Sequence, residues 1–276
     1  MLFDIRRNAN PYFHIMESIW MLAGRNDTAF VSLYAANMSD FSDDGETLNG
    51  AYGYRWRKHF NRNQIADVVE LMKREPNTRR AVIAMWDGFT DGDSAFASKD
   101  IPCNTHIYFR IKGDKLDMTV LNRSNDIVWG CYGANAVHMS VLQEFVALAI
   151  GVPVGSYTQV SNDWHIYQKH FPLMEHPFAA REDIYTPEWR HVPLFADAES
   201  PWAAMKNFQL FVDNILADDF YGSYESSYVN WVLQPMAKSW KCYKEGSFIR
   251  AVSYASTIAD TAVQVACLEW LERKEK

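Results

Sequence analysis

Two strand-like apolar segments, His106–Ile111 and Leu116–Leu121, are separated only by Lys112-Gly113-Asp114-Lys115. A short polar connection containing glycine between two such runs predicts a β-hairpin. The fold is therefore built on a sheet. Val82-Ile83-Ala84-Met85-Trp86 predicts another strand, and residues 155–161 one more. Helical spacing surrounds them. Residues 11–24 place Phe13, Met16, Glu17, Trp20 and Gly24 on one face, with Pro11 suited to a first turn. Residues 61–75 read as a polar amphipathic helix ended near Pro76. Residues 136–150 carry Val137, Val141, Phe145 and Leu148 and stop at Gly151. A further helix is expected from about 164. Residues 174–200 are proline-rich and without period, which predicts a boundary. After Pro201 the pattern is helical, most clearly over 247–272, where Phe248, Val252, Ala255, Ile258, Ala262, Val265 and Ala266 share a stripe. Strands mixed with helices, then helices alone, predict an α/β (α+β) fold: a mixed sheet flanked by helices, with a core over 1–175 and a linker and helical extension over 176–276.

At 276 residues the chain has room for one large domain or a core with an appendage. Hydrophobic residues at 48% and charged residues at 22% exclude a disordered chain. A net charge of −7 argues against direct binding of duplex DNA and leaves room for a local basic pocket holding one small anion. No apolar run reads as a membrane span, and the segment from Met1 to Arg7 lacks a signal peptide's apolar stretch. Four scattered cysteines, with no CxxC pair, suggest neither a zinc site nor a disulfide scaffold. A cytoplasmic protein without a metal is expected.

Cys103 lies in Ile101-Pro102-Cys103-Asn104-Thr105, just ahead of a strand. A partly exposed thiol there becomes a nucleophile if a cation favours its thiolate. Taken alone, a small core residue is the simpler reading. Arg79-Arg80 precede one strand and Arg123-Ser124 end another. Guanidinium forks with a hydroxyl suit a dianionic phosphate, although any single arginine is more often a solvated surface group. Glu17 lies on an apolar helix face between Phe13 and Trp20. It is either solvated by local bending or buried with a proton-transfer task. His165 and Tyr167 form a compact polar pair suited to a sugar hydroxyl, or else a satisfied core histidine and its neighbour.

The order of these motifs is more informative than any one of them. Glu17, Tyr52 in Tyr52-Gly53-Tyr54-Arg55-Trp56-Arg57, Arg79-Arg80, Pro102-Cys103, Arg123-Ser124-Asn125-Asp126 and His165-Ile166-Tyr167 follow one another along the chain. From about residue 5 to 172 the chain resembles the thymidylate synthase and deoxynucleotide hydroxymethylase family. The resemblance implies that Cys103 adds to C6 of a pyrimidine and that Glu17 is the general acid/base. Tyr52 takes the place of the family's motif tyrosine. Arg123 and Ser124 would bind phosphate within the subunit, and Arg79 and Arg80 would be donated across a homodimer interface. His165 and Tyr167 would hold the deoxyribose 3′-hydroxyl. Asp126, together with Trp20, would face 5,10-methylenetetrahydrofolate.

Departures narrow the expectation. The family's early phosphate loop has no counterpart. The histidine that follows a synthase's cysteine is Asn104. The aromatic wall near the transferred carbon falls at Met38, and a charged segment, Glu272 to Lys276, replaces a synthase's apolar tail. Cys103-Asn104-Thr105 and Arg123 through Gly130 look closer to the bacteriophage deoxycytidylate hydroxymethylases than to a synthase. The base-reading position falls on Ala134 without a gap, or on Asn135 with one inserted residue. An asparagine amide both donates and accepts and suits uracil. By resemblance, the expected reaction is one-carbon transfer from methylenetetrahydrofolate to C5 of dUMP with capture by water. The alternatives are a dCMP hydroxymethylase, a divergent thymidylate synthase and, outside catalysis, a nucleotide- or RNA-binding homologue. Retention of both Cys103 and Glu17 speaks against the last.

Overall fold

A computed structural model of the protein describes residues 8–92, 98–174, 188–196 and 200–275. Helix α1 (Pro11–Leu22) begins where the Asn10 side chain accepts from the Phe13 N–H and Pro11 takes the first turn. It stops before Gly24, whose φ of +69° favours glycine. Asp27 caps α2 (Thr28–Tyr34), and a 3₁₀ turn over Ala36–Phe41 follows. A short helix α3 (Tyr52–Tyr54) runs into a π-type turn over Arg55–His59. Asn63 caps α4 (Gln64–Arg74).

The expected hairpin is present. Strands β2 (Asn104–Lys112) and β3 (Lys115–Asn122) pair antiparallel, with Lys112 opposite Lys115. Gly113 and Asp114 both take positive φ, +54° and +65°, which a tight two-residue hairpin turn requires. Strand β1 (Val82–Ala84) adds antiparallel to β2, and β5 (Val154–Ser161) adds parallel to β3, giving the order β1-β2-β3-β5. A parallel neighbour needs a crossover, and α5 (Asn135–Ile150) supplies it, ending at Gly151 with φ +88°. Between β3 and α5 lie the short strand β4 (Asn125–Asp126) and a π-type turn over Ile127–Ala134. Strand β6 (Trp164–His165) pairs parallel with β4.

One face of the sheet, with Ile107, Phe109, Leu116, Met118 and Val120, is buried beneath α5. The other face stays open: Tyr108, Arg110, Thr158 and Val160 are exposed. Helix α1 lies against α5 on the covered side and also meets α2, α3 and three of the later helices. The later helices, α6 (Pro201–Leu216), α7 (Gln234–Lys244), α8 (Phe248–Ala255) and α9 (Thr261–Lys274), join the same apolar cluster. The buried Tyr12 hydroxyl donates to Ser239 Oγ at 2.7 Å, and Ser239 donates on to the Ala251 carbonyl at 2.8 Å. Rings of Tyr12, Tyr34, Trp240 and Trp270 stack around this link at centroid separations of 5.3–5.6 Å. His191, drawn up to a pKa of about 10 by Asp260 and then Glu144, fastens residues 188–196 to α9 and α5.

Three expectations need correction. No helix starts at 164: that segment is β6, then a 3₁₀ turn over Gln168–Met174, because its residues pair with β4 instead. The stripe over 247–272 is two helices. After Ala255 the Thr257 hydroxyl bonds back to the Tyr254 carbonyl, and Asp260 starts α9 by accepting from the Val263 N–H. Finally, Ile127–Ile150 is long and apolar enough to cross a membrane. Yet 61% of its most apolar window is buried, and its backbone breaks at Gly133 (φ −117°, ψ −112°), so it serves as a core element.

The Arg55 guanidinium is fully buried. It grips Asp91 with two hydrogen bonds, 2.5 and 2.8 Å, and donates to the carbonyls of Met85 (2.7 Å) and Asn49 (2.9 Å). Removing one partner leaves a bare buried charge. Asp91→Ala is expected to lower unfolding free energy by about 3–5 kcal/mol in urea titration. Arg55→Met combined with Asp91→Leu is expected to cost less than that single change. Equal or greater loss in the double variant would show that the charges are not what the single variant lost.

Candidate active site

Cys103 sits where the loop from Ile101 enters β2, and Arg123 at the end of β3 closes over it. The Arg123 N–H donates to the Cys103 carbonyl at 2.9 Å. Its side chain donates to the carbonyls of Pro102 (2.9 Å) and Ile101 (3.0 Å) and places Nη2 3.9 Å from the thiol sulfur. From α3, the Tyr52 hydroxyl accepts the Asn104 N–H at 3.3 Å, on the other side of the nucleophile's backbone. Burial pushes the Cys103 thiol up; Arg123 opposes this and Asp100 adds to it. Burial pushes the Tyr52 phenol up as well, so it keeps its proton. Asp100 accepts the Gly50 N–H at 2.8 Å, and a side chain on Gly50 would collide with it, its Cβ only 2.7 Å from Oδ1. Burial raises the Asp100 carboxyl, with Glu17 adding to the rise.

Glu17 is 8% exposed in the middle of α1. Its Oε2 lies 3.0 Å from Nε2 of His138 on α5, also buried. The two atoms are not aligned for a hydrogen bond, and neither has another hydrogen-bond partner among the described residues. The pair was not found from sequence. The available signal was that both side chains interrupt apolar helix faces that pack together.

Ser124, half-buried, follows Arg123 toward β4. Pairing of β4 with β6 sets Asp126 opposite His165 and so brings the phosphate-binding and sugar-binding candidates to one edge. The His165 and Tyr167 rings stand edge to face at 5.2 Å. Asp126 Oδ2 accepts the Trp129 N–H at 2.6 Å, while Oδ1 is buried without a partner. Asn135, at the start of α5, is buried and bonded through its amide to Asn104 and Asn125, both at 3.0 Å.

One expected group lies elsewhere. Trp20 is 1% exposed and donates its indole N–H to the Asp27 carbonyl, so it packs the core and offers no ring face to a cofactor. Arg79 and Arg80 are exposed, and Arg80 pairs with Glu75 at 2.6 Å. Val82 pairs with Tyr108, which sets Arg80 alongside Arg110 by continuation. At about 3.3 Å per residue, that is roughly 23 Å along β2 from Cys103. Met38 is half-buried against the core in the 3₁₀ turn. Among the described residues no group of three or more His, Cys, Asp or Glu is arranged for a metal ion.

The thymidylate synthase family model matches residues 6–194, and the chain belongs to the thymidylate synthase family. Over 99% of its length it is 39% identical to the deoxyuridylate hydroxymethyltransferase of Pseudomonas phage M6, spanning 80% of that protein. It is 42% identical to the deoxyuridylate hydroxymethyltransferase of Bacillus phage SP01 over 58% of this chain, which spans 44% of that protein. Its fold is similar to that of thymidylate synthase from T4 phage, with a TM-score of 0.58 and 22% identity over 71% of this chain and 72% of that one. The expected fold and family both hold.

The electrostatics of Cys103 can be read directly. Its alkylation by iodoacetamide, followed by peptide mass spectrometry against pH, is expected to have a midpoint above that of an ordinary thiol. Arg123→Gln should move the midpoint further up and slow alkylation at neutral pH. Asp100→Asn should move it down. Opposite shifts would refute this assignment of the surrounding charges.

Proposed function

We propose that the chain is a deoxyuridylate hydroxymethyltransferase acting on dUMP. The observation that carries this reading is the convergence of Cys103, Tyr52, Arg123 and the Asn135 amide at the mouth of β2. Near full-length similarity to a phage protein of that name supports it. The Cys103 thiolate adds to C6 of the pyrimidine and makes C5 nucleophilic. Arg123 and Ser124 bind the phosphate, and His165 with Tyr167 holds the sugar hydroxyl. Asn135 reads the base. Methylenetetrahydrofolate supplies the one-carbon unit. The residues fit such a group: Asp126 Oδ1 is an unpartnered buried acceptor for a pterin N–H, and the Trp129 and Trp164 rings beside it are 45% and 55% exposed. Once C5 carries the carbon, loss of the C5 proton and cleavage of the bond between that carbon and the folate nitrogen would free tetrahydrofolate and leave an exocyclic methylene; water oriented by Glu17 then adds its oxygen there and gives up a proton. Breaking the sulfur–C6 bond releases 5-hydroxymethyl-dUMP. The location that suits these substrates is the cytoplasm of the cell, a host cell if the chain is phage-encoded.

The active unit in this reading is a homodimer. The open sheet face, with Tyr108 and Val160 exposed, is the surface for a second copy. Arg79 and Arg80 lie too far along β2 to serve their own chain's Cys103, so they complete the phosphate site of the other copy.

Incubation with dUMP or dCMP and methylenetetrahydrofolate is expected to give 5-hydroxymethyl-dUMP and tetrahydrofolate. Dihydrofolate formed in step with nucleotide loss would mean a methylating synthase instead. Cys103→Ser should retain dUMP binding and lose turnover. Mixing equal amounts of Cys103→Ala and Arg80→Ala subunits should restore about a quarter of wild-type activity, because half of the dimers are mixed and each has one intact site. No recovery in verified mixed dimers would refute the sharing of sites.

A further inference from the structure

Four asparagines from separate segments meet beneath Cys103: Asn104 at the start of β2, Asn122 at the end of β3, Asn125 in β4 and Asn135 at the start of α5. All four are buried. Asn122 Nδ2 donates to Asn104 Oδ1. Asn104 Nδ2 donates to Asn135 Oδ1 at 3.0 Å, and Asn135 Nδ2 donates to Asn125 Oδ1 at 3.0 Å. The ring closes from Asn125 Nδ2 back to Asn122 Oδ1, at 3.4 Å directly and through the Ser161 hydroxyl at 2.9 and 3.3 Å. Gly130 is where the ring needs room: a Cβ there would lie 2.8 Å from Asn125 Oδ1.

Every bond in this ring runs in the same sense, and one atom outside it dictates that sense. Gln159 Nε2 donates to the Cys131 backbone carbonyl at 3.0 Å, and a carbonyl only accepts. Gln159 must therefore turn Oε1 toward Asn125, which answers with Nδ2 at 3.0 Å. Asn125 then presents Oδ1 to Asn135, and the assignment passes on through Asn104 to Asn122. Turning over any single amide would set donor against donor on one side and acceptor against acceptor on the other, in a buried place where neither finds water.

The two ring bonds made by Asn135 together use one of its side-chain N–H groups and one lone pair, and the second N–H and second lone pair have no partner among the described residues. Uracil offers N3–H as donor and O4 as acceptor; cytosine offers the reverse at the same two positions. A free asparagine amide serves both bases by turning over. We propose that the amide ring, anchored through Gln159 to the Cys131 carbonyl, locks Asn135 in one orientation and so makes the site selective for one pyrimidine. Asn104, Asn122, Asn125 and Gln159 are then positioning residues for specificity. This rests on the reading of Asn135 as the base-reading residue.

The test is the ratio of kcat/KM for dUMP over dCMP, with calorimetric Kd values for both nucleotides. Gln159→Met removes the anchor and the acceptor facing Asn125, and should lower the selectivity about tenfold or more, equivalent to about 1.4 kcal/mol. Gln159→Glu loses the bond to the Cys131 carbonyl but presents only acceptors, so Asn125 still meets an oxygen there and selectivity should stay within about threefold of wild type. Asn122→Asp cannot donate to Asn104 and should relax selectivity as Gln159→Met does. Wild-type selectivity in folded Gln159→Met or Asn122→Asp overturns the proposal. So does fast hydrogen exchange of the Asn104 and Asn135 side-chain amides in the wild-type protein, a measurement that needs no variant. A wild type that prefers dCMP would refute the base assignment alone, since the ring is judged by the change in the ratio.

Discussion

The site depends first on one buried cation. Arg55, with no exposed surface, binds the Asn49 carbonyl, the Met85 carbonyl and the Asp91 carboxylate at once. Two of these contacts lead to the nucleophile. Asn49 and its neighbour Gly50 hold Asp100, the residue just before the Ile101-Pro102-Cys103 loop. Met85 donates its N–H to the Thr105 carbonyl, two residues after Cys103. Arg55 also belongs to the turn that follows Tyr52, whose hydroxyl meets the Asn104 N–H. A guanidinium's several donors, fixed in one plane, suit it to this task as a lysine's single ammonium would not. Burial of the pair is stabilising only because every partner is present.

A second constraint comes from the later helices. Tyr12 opens α1, and its hydroxyl ends at Ser239, more than two hundred residues away in sequence. The Trp240 indole reaches the Leu33 carbonyl at the end of α2, and Trp270 packs its ring on Tyr12. Helix α1 carries Glu17 one to two turns beyond Tyr12, so the packing that seats α1 also aims the carboxylate. Of the charged segment Glu272 to Lys276, residues 272–274 lie in α9. There Lys274 rests over the Trp270 ring.

Much of the frame was legible because it obeys short-range rules. The hairpin, the helix start at Pro11 and the stop at Gly151 each follow from a few adjacent residues. The failures share a cause too. The two residues of β6 are a strand only because β4 lies beside them, and the break between α8 and α9 depends on hydroxyl and carboxylate bonds within an otherwise continuous apolar stripe. In the site, the order of motifs along the chain singled out Cys103 and Arg123, which the fold sets side by side. It could not show that Trp20 is enclosed, because an aromatic on an apolar face looks the same whether it packs the core or lines a pocket. Nor could it show His138 against Glu17 or the four-asparagine ring. Those arise from side chains many residues apart, each of which alone reads as an ordinary polar residue.

The local charges also give a physical reason for sharing sites. In the single chain the described cation nearest the thiol is Arg123, and it only partly offsets the burial and the Asp100 charge that hold the Cys103 proton in place. On the proposed reading, the same guanidinium takes the nucleotide phosphate. A dianion bound there cancels the field that favours the thiolate, so substrate binding by one chain alone would suppress its own nucleophile. In that reading, two further guanidinium groups from Arg79 and Arg80 of a second copy would offset the phosphate dianion and leave the pull of Arg123 on the sulfur in place. The exposed position of both arginines, remote from their own Cys103, is what such an arrangement requires. Dimer formation would then do more than increase affinity for phosphate: it would allow the thiol to ionise while the nucleotide is bound.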